Sequence, residues 1–147
     1  MNRAYAEQLV SRWVGILGLT TWHIHVVWPE NAHLWPENDD DFGKFGKDDY
    51  AAVWRPKDYE TARLYINEEL LTSFRPDAHL TLEVAIVHEL LHLVTRDIEG
   101  ILDQLEGQLH RDVRDVIETV FSHNLEAAVD RLAYSLVRFS NSIDPAL

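Results

Sequence analysis

The period of the apolar residues changes twice along the chain, from helical to alternating and back, and those changes limit the fold more than any other feature. From Thr21 to Trp28 the pattern alternates, with Trp22, Ile24, Val26 and Trp28 on one face and His23, His25 and Val27 on the other, until Pro29 stops the run. Tyr50 to Arg55 and Thr61 to Asn67 read as two further strands, joined across Pro56-Lys57-Asp58, where proline pre-sets a tight turn. After Arg75-Pro76-Asp77 the spacing becomes helical, with Asp77 as N-cap and Leu80, Val84, Val87, Leu91 and Val94 recurring to about Asp97, ahead of a stop at Gly100. Leu102, Leu105, Leu109, Val113, Val116 and Val120 predict a helix to about Phe121. Leu125, Val129, Leu132, Leu136 and Phe139 predict a last one from about Asn124. Before the strands, Tyr5, Leu9, Trp13 and Ile16/Leu17 mark an amphipathic helix over 2–17, ended near Gly15 and Gly18. Strands segregated from helices make an α+β fold.

A chain of 147 residues, 46% hydrophobic and 26% charged, has the balance of one globular domain. With 13 Lys and Arg against 25 Asp and Glu, the net charge is −12, and no basic stripe suits nucleic acid. The absence of cysteine excludes disulfides, thiolate-held metals and a thiol nucleophile, so any metal must use His, Asp or Glu. Neither a leader-like apolar segment nor a run approaching the ~18 residues of a membrane helix is visible, so a cytoplasmic protein without a membrane partner is expected. The segment Gly43-Lys44-Phe45-Gly46-Lys47-Asp48 lacks the P-loop spacing, and no G-x-G-x-x-G or G-x-S-x-G occurs.

The first helix after the strands carries His88-Glu89-Leu90-Leu91-His92, an H-E-x-x-H sequence. One helical turn separates positions 88 and 92, so their Cβ atoms lie roughly 5–6 Å apart and both imidazoles can reach one tetrahedral zinc. Glu89 stands one step round, angled towards a water on the ion rather than the ion itself. A catalytic zinc takes a third protein ligand and keeps one position open. The continuation to a third histidine typical of metzincins is missing, because Thr95 and Ile98 stand where Gly and His would be needed.

Downstream, Glu126 and Asp130 interrupt the otherwise apolar stretch Leu125 to Ala133, and they share a helix side with Ala133 and Val137. A face of that kind is expected to be buried, where carboxylates need a compensating partner. Zinc coordination by Glu126, with Asp130 accepting a hydrogen bond from a ligating histidine, would compensate them. Other third-ligand candidates are His123, three residues before Glu126, and His110. Asp97 and Asp103 are nearer the motif but look like a helix end and a helix start.

H-E-x-x-H followed by Glu126-x-x-x-Asp130 on a later helix resembles the gluzincin clan of zinc metallopeptidases, and the short chain resembles its minimal single-domain members, the minigluzincins. The resemblance implies a zincin-like domain over 1–147, with the sheet and active-site helix in an upper part (1–98) and a helical lower part (99–147) holding two helices, one of them the glutamate helix. It implies one Zn2+ per chain held by His88, His92 and Glu126, Glu89 as general base and acid, and Asp130 behind a ligating histidine. It further implies a peptide or protein substrate, extended along Thr61–Asn67 and held by main-chain hydrogen bonds. The Tyr or His that such enzymes use on the oxyanion has no clear match, and His123, Tyr134 and Arg131 are only sequence neighbours of Glu126.

The expectation is a zinc-dependent endopeptidase, a hydrolase in which water activated by zinc attacks a peptide carbonyl; one variant of it cuts a single specific regulator. The alternative is a catalytically weak or inactive zinc-binding regulatory protein on a metallopeptidase scaffold. His23 and His25 form an H-x-H that can chelate a metal, although a half-solvated strand shows the same alternation. The acids between 37 and 49 lack the EF-hand order and read as a solvated loop. The five Trp read as core and core-edge residues, with Trp35 a candidate to line a cleft.

Overall fold

The computed structural model describes residues 3–28, 51–55, 60–67, 78–96, 98, 100 and 110–143. Their elements run α1 (Arg3–Ile16), β1 (His23–Val27), β2 (Ala51–Trp54), β3 (Thr61–Ile66), α2 (Ala78–Val94) and α3 (Arg111–Ile143), a mixed α+β arrangement. The acidic stretch with Trp35, the Pro56-Lys57-Asp58 turn, the Asp77 cap, Asp97 and Asp103 lie outside the described residues.

α1 buries Ala6, Leu9, Val10 and Trp13; of the residues that its spacing marks, Leu9 and Trp13 are buried, Tyr5 and Leu17 are half-buried and Ile16 is 52% exposed. It ends as expected at Gly18, whose φ of 71° is the left-handed conformation that glycine adopts without strain. The Leu19 N–H donates to the Val14 carbonyl at 2.9 Å and the Gly18 N–H to Gly15 at 3.3 Å, the paired bonds of a Schellman stop.

The sheet order is β1-β3-β2, with β1 parallel and β2 antiparallel to β3. β3 alternates strictly, with Ala62, Leu64 and Ile66 fully buried. As the central strand, β3 spends its main-chain groups on both neighbours, so the expected substrate edge along Thr61–Asn67 does not exist. Among the described residues the sheet's edges are β1 and β2.

α2 is the hub: it packs against β2, α1 and α3. It accordingly buries Leu82, Ile86, Val87, Leu90, Leu91 and Leu93, which leaves little of its circumference for polar groups. Glu83 is buried on the α1 side, where its Oε1 accepts the Trp13 indole N–H at 2.8 Å and faces the Arg12 guanidinium at 3.4 Å. Arg12 also donates to the Ser140 hydroxyl, so one side chain links α1, α2 and α3. Burial, and then the charge of Glu83, push the Tyr5 phenol above 10.0 against the opposing pull of Arg12.

Where a helix end near Phe121 and a new start at Asn124 are expected, α3 runs unbroken for 33 residues. Phe121-Ser122-His123-Asn124 contains neither Gly nor Pro, so nothing stops the helix there. What the sequence shows at that point is a change of face. At about 100° per residue, Val120 and Val129 stand on opposite sides of one cylinder. Val129, Ala133 and Val137 dock on α2, whereas Val116 and Val120 remain 62% and 55% exposed.

Candidate metal centre

The first two donors follow from α2 alone. The His88 and His92 rings, one turn apart, have centroids 4.9 Å apart at an interplanar angle of 68°, and their Nε2 atoms approach to 3.1 Å. Both side chains are 18% exposed, at the border of the core that Leu90, Leu91 and Leu93 fill.

The third donor arrives from α3. Docking of Val129, Ala133 and Val137 on α2 brings Glu126 over the two rings, with Oε2 3.4 Å from His88 Nε2 and Oε1 3.4 Å from His92 Nε2. One turn further on, Asp130 Oδ1 lies 2.8 Å from His88 Nδ1. A proton on Nδ1, donated to this carboxylate, leaves the Nε2 lone pair of a neutral His88 aimed at Glu126 and His92. Ligand atoms of His88, His92 and Glu126 all lie within 4.8 Å of one another, and this group can hold a metal ion.

The carboxylates are not buried, contrary to the expectation from their apolar neighbourhood. Glu126 is 53% and Asp130 70% exposed, because α3, among its described side chains, buries only the narrow Val129/Ala133/Val137 stripe and leaves Leu132 half exposed beside it. The acids flank the stripe, and water can reach the group from their side.

Glu89, beside His88 on α2, turns towards the sheet: its Oε2 accepts the main-chain N–H of Val53 in β2 at 2.8 Å. Sequence reasoning missed this partner, since every residue but proline carries such an N–H and only the sheet order puts that of Val53 next to α2.

The other candidates stand apart. His123 is exposed on α3 and is not among the three grouped donors. Tyr134 is 48% exposed, with the Arg138 guanidinium 5.6 Å from its ring centre. His110 precedes the first turn of α3, where its carbonyl accepts the Val113 N–H, and roughly 24 Å of helix separates it from Glu126, so it cannot be the third ligand. His23 and His25 are exposed on edge strand β1 and, among the described residues, join no third donor. Trp13 and Trp28 are core residues, and Trp22 and Trp54 are half-buried at its border, under Arg96 and Arg63 respectively.

No described helix is long and apolar enough to cross a membrane. Set against protein-family models, curated proteins and solved structures, the chain matches none.

Proposed function

We propose that the chain is a zinc-dependent metallopeptidase whose metal is held by His88, His92 and Glu126. The observation that carries this reading is the convergence on one point of two imidazoles from α2 and one carboxylate from α3, with a further carboxylate behind one imidazole. Two nitrogens and one oxygen suit zinc among the common divalent ions, and three protein ligands leave a position open. Zinc bound there supplies a Lewis acid and lowers the pKa of water to about 7. Glu89 accepts the proton of the attacking water and passes it to the departing amine. Asp130 holds His88 in the tautomer that offers Nε2. An extended substrate adds to the outer side of β2, an edge strand among the described residues and the one against which α2 packs.

A second reading has one observation in its favour. Neither His123 nor Tyr134 joins the donor group, so no described side chain is assigned to the oxyanion. On that reading the chain binds zinc and a partner without cleaving it.

Elemental analysis of protein purified without chelator tests the metal first. One zinc per chain, lost in Glu126→Ala, is the expected result; zinc retained by that variant would sink the ligand assignment. Hydrolysis of an unfolded protein then separates the two readings. The peptidase loses turnover with a chelator, and Glu89→Gln abolishes it with zinc retained, whereas zinc binding without any cleavage favours the second reading.

A further inference from the structure

The Val53–Glu89 hydrogen bond joins the sheet edge to the residue beside a metal donor. In an antiparallel pair, positions alternate between those that bond to the neighbouring strand and those that point away. Val53 lies opposite Leu64, yet its N–H reaches the α2 carboxylate at 2.8 Å, so it is an outward position. Ala52 and Trp54, opposite Tyr65 and Arg63, are then the positions that bond to β3. An outward N–H on an edge strand is the kind of group that an added strand engages. Here the side chain of Glu89 occupies it.

We propose that the Val53 N–H is a shared donor: it holds Glu89 in the absence of a substrate, and a carbonyl of an extended peptide added to β2 takes it over, releasing Glu89 Oε2 towards the His88–His92–Glu126 group. The inference rests on the peptidase reading and makes Val53 a positioning residue for Glu89. One N–H has one favoured line of approach, so a carboxylate and a peptide carbonyl cannot both have a good hydrogen bond to it. The bond to a carboxylate is the stronger of the two, so a single carbonyl does not displace it unaided. A peptide lying along several residues of β2 gains further main-chain bonds and does. The device therefore favours unfolded or extended segments and leaves Glu89 parked when none is present.

The test uses the full chain as wild type, Glu89→Gln and Glu89→Ala, with amide exchange at Val53 followed by NMR. A glutamine side-chain oxygen can still accept the N–H, and an alanine cannot. Exchange at Val53 is expected to be slow in the wild type and in Glu89→Gln, and at least about tenfold faster in Glu89→Ala. The probe for the handover is reduced, carboxamidomethylated ribonuclease, an unfolded polypeptide. It should bind Glu89→Ala several-fold more tightly than Glu89→Gln, since both variants are uncharged at 89 and only one competes. Equal exchange rates in Glu89→Ala and wild type, equal Kd values in the two variants, or no binding of the probe to Glu89→Ala would each overturn the proposal. None of these readouts needs turnover, so a chain that passes them and never cleaves refutes the peptidase reading separately.

Discussion

Asp130 shows how little burial a side chain needs in order to matter. It is 70% exposed, and an exposed ion pair contributes about 0–1 kcal/mol to stability. In the proposed site its role is to fix which nitrogen of His88 faces His92 and Glu126. Asp130→Ala should therefore weaken zinc binding by about 10–100-fold, measured by competition with a chromophoric chelator. The metal-free unfolding midpoint should stay nearly unchanged, and unaltered zinc affinity would remove Asp130 from the site. At this scale the sequence is informative where the spacing is local. His88 and His92 are read as a pair because one helical turn fixes their separation wherever the helix goes. Glu126 and Asp130 are read from their place among apolar neighbours, and the grouping so inferred, Glu126 with His88 and His92 and Asp130 beside His88, is present although the burial is not. Val53 leaves no trace, because its contribution comes from the main chain.

Among the elements, α3 departs furthest from its pattern. A jump in helical phase between Val120 and Leu125 looks in the sequence like the end of one helix and the start of another. In the folded chain it is one helix that changes the side on which its apolar residues lie. The two halves should respond differently to charge. Val120→Lys adds a cation to an exposed surface and should shift stability by no more than about 0.5 kcal/mol. Val129→Lys places one in the seam between α2 and α3 and should cost about 3 kcal/mol or more. Urea unfolding of both variants checks the contrast, and an equal loss in the two would mean that the Val120 side is also packed. β3 and α1 are simpler cases, since strict alternation in one and a glycine stop in the other are local signals that packing had no reason to override.

For the whole molecule, the consequence of the site is that an ion would join α2 to α3 across the chain. A ligand that binds only the folded form stabilises it by about 2.7 kcal/mol at one hundred times its Kd, which for a chain of this size raises Tm by about 5–10 °C. Zinc should produce that rise, excess chelator should reverse it, and Glu126→Ala should remove most of it; thermal unfolding by circular dichroism gives the answer. An equal rise in Glu126→Ala would show that the ion does not bridge the helices. The sheet order belongs to this scale too. That β3 lies between β1 and β2 depends on how the connections cross, which alternation within each strand does not encode.

A rod without a joint also acts as a lever. α3 rests on α2 through Val129, Ala133 and Val137, and from the middle of that contact Glu126 lies about 10 Å away and Arg111 about 33 Å, at 1.5 Å per residue. The far end thus travels about three times as far as the carboxylate for any tilt about the contact. A sideways load of a few ångströms at Arg111 would carry Glu126 by about 1 Å, a misplacement large enough to cost a reaction about 100-fold. The mechanical weak point of the proposed site is therefore a main-chain position about 22 Å of helix away from Glu126.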